Sequence, residues 1–548
     1  MSYTIPADAR PAASLILLRD SDAGMEVLML RRAERDGDQR SGACVFPGGV
    51  VDARDRQAHG HVLGGDDAAL SRRFGVSEGA LDYAIAALRE CFEEVGLLLL
   101  DGELEAATAE PWRDRLQRGE AGAAEFASAF GRRWNLQGVA YYSHWLTPPG
   151  TPKRFDTRFF AAAAPAGQQA VADYGEAVEL MWLTPQAALS PERALKLLPV
   201  TRRTLQDLAR FASASAALEE AHARETIRLT MPRAARSRDG SRVVVLPDEL
   251  PYAEIGHLDP TGRGDVARDL VAGRAVRLSP RILRVTAPNP GVMTGPGTNT
   301  YFVGAGDSWT AIDPGPDDAV HLQAMLAAVA SVQGRITRIL VTHTHRDHSP
   351  GAAALAAATG APVWGRVAEH PQGQDDSFVP QHQPRHGERI AVAEGVTLRV
   401  VHTPGHASNH LCYLLEEEKL LFTGDHVMQG STVVINPPDG DMAAYLRALA
   451  ALLDEDLDWL APGHGFLVAE PHAVLRGLIA HRLKREDRVR AALQHQREAD
   501  LAALLPEVYA DVPPALYPVA RRSLLAHLLK LQQDGEASAD GERWRYVG

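Results

Sequence analysis

The stretch Thr342-His-Thr-His-Arg-Asp-His348 follows an apolar run, Ile336–Val341, that predicts a buried strand. It places three imidazoles and one carboxylate within the six residues from His343 to His348. Three further donors stand at the ends of later predicted strands: His406 in Thr403-Pro-Gly-His406, Asp425 in Phe422-Thr-Gly-Asp425, and His464 in Ala461-Pro-Gly-His-Gly465. Side chains at the strand ends of an α/β sheet converge on a cleft, so we expect these donors to meet in one site.

The donor types point to metal chemistry. Imidazole nitrogen and carboxylate oxygen together suit zinc, and they also suit iron or manganese. Seven such donors exceed the needs of one tetrahedral ion but suit two ions with one carboxylate between them. Two divalent ions roughly 3.5–4 Å apart lower the pKa of a shared water to near 7 and supply hydroxide for attack on a carbonyl or phosphoryl centre. The sequence therefore predicts a dinuclear hydrolytic site.

These motifs resemble those of the metallo-β-lactamase fold over residues 281–470. The resemblance implies an αββα sandwich that binds two Zn²⁺ ions, with Fe or Mn as alternatives. It implies that His343, His345 and His406 hold one ion, and that Asp347, His348 and His464 hold the other, with Asp425 bridging. Asp347 is also the candidate catalytic residue of this half.

Three other segments resemble the branch of this family that contains β-lactamase-like endoribonucleases: Asn289-Pro-Gly291, Gly297-Thr-Asn-Thr-Tyr301 and Ile312-Asp-Pro-Gly315. That resemblance implies hydrolysis of phosphodiesters, with single-stranded RNA as the expected partner. It also implies a helical, winged-helix-like extension over residues 471–548. Pro350 departs from the branch, which usually has glycine at that position.

Two questions stay open in this half. The segment Arg476–Arg497 carries seven basic residues against two acids, which suits either contacts to phosphates or a solvated helix face. A glyoxalase-II-like thioesterase or another acyl hydrolase shares the same ligands, and is the alternative function. His402, Asn409 and His410 flank His406, and we expect them to be structural hydrogen-bonding groups.

A second constellation, Arg89-Glu-Cys-Phe-Glu-Glu-Val-Gly-Leu97, lies on a helix predicted from about Leu81 to Leu97. Glu90, Glu93 and Glu94 share one face of that helix, because residues three and four apart are neighbours. The pattern resembles the second half of a Nudix box. It implies a Nudix α/β/α sandwich over residues 1–210, Mg²⁺ or Mn²⁺ held by Glu93 and Glu94, and Glu90 as base or further ligand, with Arg89 orienting the glutamates.

The first half of that box departs from the pattern of a glycine, five residues and a glutamate. Counted from Gly48 and Gly49, the glutamate position holds Arg54 and Asp55. This suggests as an alternative that the Nudix half is a ligand-binding regulatory module. The motif Phe46-Pro-Gly-Gly49 resembles the acyl-CoA diphosphatase branch, which implies a CoA-like diphosphate substrate, although Asp38 stands where that branch has arginine.

Composition limits the remaining possibilities. The 548 residues carry a net charge of −13, which argues against general binding of polyanions. Three widely spaced cysteines suit a reducing compartment, and no run reaches the ~18 apolar residues that span a bilayer. We expect a cytoplasmic protein with no membrane partner, and the oligomeric state stays open.

Local patterns complete the predicted organisation. Residues 211–280 are predicted to be a connector, in which Thr226–Met231 and Arg242–Leu246 pair as strands. Arg193–Arg224 is predicted to be helical. In the α/β layers of residues 281–470, the predicted elements are the strands Ile336–Val341, Val396–Val401, Lys419–Phe422 and Leu457–Leu460 and the helix Gly351–Thr359.

Overall fold

The computed structural model describes residues 5–34, 41–173 and 177–547, so Asp38 lies outside the described residues. Contacts between residues divide the chain into two compact units. Unit 1 comprises Met1–Ala234 with Thr261–Arg263, and unit 2 comprises Ala235–Pro260 with Gly264–Gly548. The boundaries that the sequence places at 210, 280 and 470 stay predictions.

Unit 1 contains ten strands and seven α-helices among its described residues. The strands are β1 (Arg10–Ser21), β2 (Gly24–Arg32), β3 (Cys44–Val45), β4 (Gly48–Val50), β5 (Val62–Leu63), β6 (Trp134–Asn135), β7 (Ala140–Leu146), β8 (Phe155–Ala163), β9 (Ala177–Leu183) and β10 (Leu229–Thr230). The helices are α1 (Asp67–Phe74), α2 (Ala80–Val95), α3 (Ala106–Gln117), α4 (Ala123–Phe130), α5 (Pro185–Leu189), α6 (Pro199–Leu208) and α7 (Ala214–Ala223).

The main sheet of unit 1 has the order β10-β7-β8-β1-β2-β3, with β4 paired to β1 and β9 paired to β2. Residues Ala12–Leu18 of β1 are buried without alternation, as expected for a central strand covered on both faces. One face packs Leu15 and Leu17 against Leu88 and Phe92 of α2. Helix α7 packs against β1, β7 and β8, which completes an α/β/α sandwich.

Unit 2 begins near a small hairpin and continues into a larger α/β domain. Its strands are β11 (Arg233–Arg236), β12 (Arg242–Val245), β13 (Ala275–Ser279), β14 (Ile282–Thr286), β15 (Asn299–Ala305), β16 (Ser308–Ile312), β17 (Arg335–Leu340), β18 (Val363–Trp364), β19 (Arg389–Ala393), β20 (Val396–His402), β21 (Leu411–Leu415), β22 (Leu420–Gly424), β23 (Trp459–Pro462), β24 (Val468–Ala469), β25 (Glu498–Ala499), β26 (Ala537–Asp540) and β27 (Arg543–Tyr546). Its α-helices are α8 (Tyr252–Leu258), α9 (Ala319–Ala330), α10 (Gly351–Thr359), α11 (Met442–Ala451), α12 (Pro471–Gln496), α13 (Leu501–Val508) and α14 (Tyr517–Gln533).

Two six-stranded sheets form the body of unit 2. One runs β13-β14-β15-β16-β17-β18 and the other β19-β20-β21-β22-β23-β24. Apolar residues of both sheets, such as Tyr301 and Phe422, pack together in one core between them. Helices α9 and α10 cover the outer face of the first sheet, and α11 and α12 cover that of the second. The architecture is the αββα sandwich that the sequence predicts.

The last part of the chain forms a separate small core. Helices α13 and α14, the end of α12 and the sheet β25-β27-β26 pack around Leu504, Leu528 and Trp544. Two helices followed by a hairpin make a winged-helix module. Among the described residues, no helix combines the length and apolar character needed to cross a membrane.

The pairing predicted within the connector is wrong. Strand β10 pairs in parallel with β7 of the main sheet, whereas β12 pairs with β11. The turn at Asp239 and Gly240 does join two strands, but the first of them is Arg233–Arg236 rather than Thr226–Met231. An open edge of the large sheet gives Leu229 and Thr230 a partner that a local pattern does not reveal.

Candidate active sites

Four loops at one edge of the sandwich bring the predicted ligands of unit 2 together. His343, His345, Asp347 and His348 follow β17, and His406 follows β20. Asp425 directly follows β22, and His464 follows β23. A Cβ atom on Gly463 would lie 2.7 Å from His348 and 2.9 Å from Asp425. Glycine at 463 is therefore required by the close approach of these two ligands.

The first group of donors consists of three imidazoles. Nδ1 of His345 lies 3.0 Å from Nε2 of His343 and 3.0 Å from Nε2 of His406. These donor atoms all lie within 4.8 Å of one another. Three nitrogen atoms at this separation form the kind of face that one ion with bonds of about 2.0–2.1 Å can bind.

The second group consists of Asp347, His348, Asp425 and His464, whose donor atoms also lie within 4.8 Å of one another. Oδ2 of Asp347 is 3.2 Å from Nε2 of His464 and 3.4 Å from Nε2 of His348. Oδ1 of Asp425 is 3.3 Å from Nε2 of His464 and 3.4 Å from Nε2 of His348. Two carboxylates thus converge on two imidazoles.

Asp425 connects the two groups. Its Oδ1 faces the second group, while its Oδ2 lies 3.7 Å from Nε2 of His406 in the first group. The backbone N–H of Asp425 donates to Nε2 of His410 at 3.2 Å, which holds the start of this loop. One carboxylate with an oxygen directed at each group has the geometry of a bridge.

The second ring nitrogen of several ligands is held in place, which fixes the orientation of each imidazole. Nδ1 of His406 donates to the carbonyl oxygen of Val434 at 2.8 Å, and Nδ1 of His464 lies 3.2 Å from the carbonyl oxygen of Gly297. Nδ1 of His343 lies 3.0 Å from Oγ1 of Thr342. In each case Nε2 is left to face the cluster.

Asp313 contacts the candidate site, although its sequence pattern alone indicated no role there. Its carboxylate lies 2.9 Å from Nδ1 of His348 and accepts hydrogen bonds from the backbone N–H and the hydroxyl of Thr342 at 2.7 and 2.8 Å. It therefore supports ligands of both groups, His348 directly and His343 through Thr342. Its place in Ile312-Asp-Pro-Gly315, directly after β16, was the available signal.

Burial and neighbouring charges shift the pKa values of the histidines in opposite directions in the two donor groups. In the first group, burial and repulsion between neighbouring imidazoles lower the pKa of His343 well below its usual range and that of His345 to about 3. Burial also lowers the pKa of His406, although Asp425 opposes this shift. The first group therefore presents neutral nitrogen donors at neutral pH.

In the second group, burial alone would lower the pKa values of the histidines, but the attraction of the neighbouring carboxylates is larger and raises them. Asp347 and Asp425 raise the pKa of His348 well above its usual range, and Asp425 raises the pKa of His464 to about 9. Burial likewise opposes ionisation of Asp425, yet the two imidazoles hold its pKa well below the usual range. The two carboxylates thus stabilise positive charge at this position.

Three buried atoms test whether the residues fit a metal ion. Nε2 of His348 and Nε2 of His464 lie 3.4 and 3.3 Å from Oδ1 of Asp425, yet none of these three atoms forms a well-aligned hydrogen bond with any residue that the structure describes. Buried polar atoms are almost always satisfied, and these three converge on one point. Nitrogen and carboxylate donors of this kind bind zinc and other divalent cations. The donor set therefore fits a divalent ion.

The three residues that flank His406 take part in hydrogen bonds. Asn409 donates to the hydroxyl of Thr344 at 2.8 Å and to the carbonyl oxygen of Arg366 at 2.9 Å. Nδ1 of His410 lies 2.9 Å from Oγ1 of Thr403, and Nε2 of His402 lies 3.3 Å from the carbonyl oxygen of Ser408. These contacts suit structural roles.

The glutamates of unit 1 lie on helix α2, where the spacing places them on one face. Arg89 donates to Oε1 of Glu90 at 2.8 Å and to Oε1 of Glu93 at 2.9 Å. Oε2 of Glu94 accepts from the backbone N–H of Gly48 at 2.8 Å. Burial raises the pKa of Glu90 to about 7, although Arg89 opposes the shift. A carboxylate with this pKa suits a general base near neutral pH.

Asp55 occupies the place that the Nudix pattern gives to glutamate. It is 1% exposed, and its carboxylate accepts two hydrogen bonds from Arg89, at 2.9 and 3.1 Å. Asp55 and Arg89 also line a small pocket together with Glu93 and Leu116. The carboxylate of Asp55, near the start of the long insertion, thus contacts Arg89, which also holds Glu90 and Glu93.

Three family models match parts of the chain. The metallo-beta-lactamase superfamily model matches residues 293–464, and the beta-lactamase associated winged helix domain matches residues 501–544. The NUDT19 Nudix domain model matches residues 71–198. These matches confirm the predicted fold class of a Nudix domain, a metallo-β-lactamase sandwich and a winged-helix extension.

Similar proteins cover about half of the chain. An atrochrysone carboxyl ACP thioesterase from Aspergillus chevalieri is 32% identical over 291 residues, which are 50% of this chain and 89% of the relative. A beta-lactamase-like protein 2 homolog from Drosophila melanogaster is 31% identical over 284 residues, 49% of this chain and 95% of the relative. A beta-lactamase domain protein from Burkholderia ambifaria is 21% identical with a TM-score of 0.45, and the match covers 50% of this chain and 94% of that one.

The chain belongs to the metallo-β-lactamase superfamily. It also carries a NUDT19-type Nudix domain in its N-terminal half. The matches to both families, together with the thioesterase relative, indicate that the protein is a hydrolase. The metallo-β-lactamase fold implies a divalent metal site, and the cluster of histidines and aspartates in unit 2 provides the donors for it.

Proposed function

We propose that unit 2 is a dinuclear metallohydrolase that cleaves acyl thioesters. The observation that carries the proposal is the position of Asp425, whose two oxygens face the two donor groups. His343, His345 and His406 would hold one ion, and Asp347, His348 and His464 the other. Zinc suits this donor set best, with iron or manganese as alternatives.

Different residues of the chain have different roles in the proposed hydrolysis. When bound, a pair of divalent ions makes hydroxide available near neutral pH and stabilises negative charge on the attacked oxygen. Asp347 is partly exposed, with 28% of its side chain accessible, so its carboxylate can accept a hydrogen bond from the attacking water and orient it. Asp313 keeps His348 in the orientation that directs Nε2 into the site. Attack breaks the bond between the acyl carbon and sulfur and releases an acid and a thiol.

The choice of an acyl substrate is supported by the relatives. One similar protein is named for thioester hydrolysis on a carboxyl ACP substrate. The second candidate, cleavage of phosphodiesters such as single-stranded RNA, is favoured by the winged-helix domain. The arginine-rich helix offers it less support, because Arg482 and Arg485 are buried and Arg485, Arg488 and Arg490 pair with acids.

A substrate comparison separates the two candidates. Purified protein is incubated with S-lactoylglutathione, with acyl-CoA thioesters and with labelled single-stranded RNA, and thiol release and RNA fragments are measured. Thiol release that is lost after treatment with a chelator supports the proposal. Cleavage of RNA without any thiol release contradicts it and favours the phosphodiester candidate.

Unit 1 is, by this proposal, an active diphosphate hydrolase that takes a CoA-like substrate. The ion pair between Asp55 and Arg89 supports activity over a purely regulatory role, because Asp55 provides a carboxylate at the position where the Nudix pattern has a glutamate. Glu93 and Glu94 would hold Mg²⁺ or Mn²⁺, whose hard character suits carboxylate oxygens. Glu90, with its raised pKa, would act as the base.

An acyl-CoA thioester contains a bond for each unit, since it carries both a thioester and a diphosphate. Mass spectrometry of the products distinguishes loss of the acyl group from cleavage of the diphosphate. We expect both products from the wild-type chain in the presence of Mg²⁺. Binding of CoA without cleavage of the diphosphate would contradict an active unit 1 and support the regulatory alternative.

A further inference from the structure

A buried asparagine at the start of β15 holds the turn that carries His464. Asn299 is fully buried, and its side-chain amide donates to the carbonyl oxygen of Gly465 at 2.8 Å and to that of Pro462 at 3.1 Å. Its backbone N–H donates to the carbonyl oxygen of Gly463 at 2.7 Å. One residue therefore contacts the backbone on both sides of the ligand.

Neighbouring residues hold Asn299 in the orientation that makes these contacts. The hydroxyl of Thr286 donates to Oδ1 of Asn299 at 2.9 Å, so the amide nitrogen must face the turn. The hydroxyl of Tyr301 donates to the carbonyl oxygen of Pro462 at 2.8 Å. Since β15 belongs to the first sheet and β23 to the second, the position of His464 is set across the sandwich.

A second buried asparagine, Asn409, holds a loop of the first donor group, which consists of His343, His345 and His406. The amide of Asn409, a residue that is 1% exposed, donates to Oγ1 of Thr344 and to the carbonyl oxygen of Arg366. Thr344 lies between His343 and His345. The two groups thus have separate amide contacts: in the described part of the chain, neither side-chain amide is hydrogen-bonded to the loop that the other one holds.

We propose that Asn299 is a positioning residue that controls binding of the ion held by Asp347, His348 and His464, independently of the other ion. The proposal rests on the dinuclear centre proposed above. Exchange of Asn299 for aspartate keeps the size of the side chain but replaces an N–H donor with an oxygen that repels the carbonyl groups of the turn. Loss of a group that orients a ligand lowers metal affinity by about 10–100-fold.

The test measures the affinity of each metal position separately. Metal-free protein is titrated with Zn²⁺ against a chromophoric chelator, in wild type and in the variants Asn299→Asp and Asn409→Asp. Each substitution is also combined with His343→Ala, which removes the first position. We expect Asn299→Asp to weaken one of two equivalents by about 10–100-fold, and to weaken the single remaining equivalent by the same factor in the His343→Ala background. Asn409→Asp should leave binding in that background unchanged.

Milder variants keep the test decisive if Asn299→Asp does not fold. Thr286→Val frees the amide to rotate, and Tyr301→Phe removes one contact to the turn. Both should weaken the same equivalent by a smaller factor, while the metal-free protein stays folded with only a modestly lower unfolding temperature, because each variant loses one buried hydrogen bond. The proposal is overturned if these variants bind both ions as wild type does, or if they weaken both ions equally. Fewer than two equivalents in the wild type would instead refute the dinuclear centre itself.

Discussion

The centre in unit 2 takes its seven donors from four loops between residues 343 and 464, whereas the site in unit 1 takes its three glutamates from one helix, α2. In unit 2 the sheet topology brings the donors together, and buried groups such as Asp313 and Asn299 set their orientation. In unit 1 the helical period fixes the glutamates relative to one another, and the ion pair of Arg89 with Asp55 adds the remaining support.

The difference between the sites predicts different responses to substitution. The glutamates of α2 keep their spacing as long as the helix exists, so changes to them affect chemistry more than structure. The donors of unit 2 depend on several loops, so loss of one supporting contact displaces one ligand. A chain with two such sites allows each to be disabled while the other serves as an internal control.

The largest effect is expected from Asp425, the carboxylate proposed to bridge the two ions. Asp425→Asn should lower kcat/KM for thioester cleavage by about 10³-fold, because it removes several kcal/mol of stabilisation that a metal pair gives to the transition state. It should also lower the metal content and leave cleavage of the diphosphate unchanged. The control is Asp456→Asn, which alters a carboxylate that is 77% exposed and paired with Lys419. Equal thioesterase activity in Asp425→Asn and wild type would contradict this role.

A smaller effect, confined to the other site, is expected from Glu90. Glu90→Gln removes the proposed base and should lower diphosphate hydrolysis by about 10²–10⁴-fold without a change in thioester cleavage. Glu78→Gln serves as the matched control, because that side chain is 70% exposed. If both activities fell together in Glu90→Gln, the two sites would not be independent and the comparison would fail.

The ion pair between Asp55 and Arg89 should matter for stability as well as activity. Asp55→Ala removes one of the three carboxylates that pair with the buried guanidinium of Arg89, and should destabilise unit 1 by about 2 kcal/mol. Urea unfolding followed by tryptophan fluorescence measures this change, and Asp55→Glu should restore part of it. Unchanged unfolding in Asp55→Ala would show that the carboxylate contributes nothing to the scaffold.

A pH-dependent effect is expected in unit 2 from His321, a fully buried residue of α9. Burial lowers its pKa from 6.5 to about 4, so the unfolded chain binds the proton more readily than the folded one. Stability is therefore complete above pH 6.5 and decreases as the pH falls toward 4, by up to about 3 kcal/mol. Unfolding of the metal-free protein between pH 7 and 4 measures this slope. His321→Gln should reduce it, and an equal slope in that variant would exclude His321 as its cause.

Local patterns predicted the elements of unit 2 closely. The apolar run Ile336–Val341 corresponds to β17, and the alanine-rich helix Gly351–Thr359 is observed with the same bounds. In the sequence, a glycine directly before each of His406, Asp425 and His464 indicated where the preceding strand ends. The positions of the donors followed from these ends, because ligand residues that follow strands at one edge of a sandwich must lie close together.

Residues whose partners are distant in sequence could not be assigned from pattern alone. Asp55 lies 34 positions from Arg89, and the intervening insertion has no fixed length from which a contact can be inferred. Asp313 has a left-handed φ of +53°, and the partners of its carboxylate lie on another strand end. The helix predicted over Arg193–Arg224 is divided into α6 and α7, because α6 ends at Leu208 and Ser213 caps a second helix that begins at Ala214.

The most direct test of the dinuclear centre is crystallographic location of the metals. Crystals of the protein grown with Zn²⁺ are measured on both sides of the zinc absorption edge, and anomalous peaks are counted. The account predicts two peaks, one within bonding distance of His343, His345 and His406 and one near Asp347, His348 and His464, with Asp425 contacting both. A single peak, or a peak placed away from Asp425, would contradict it.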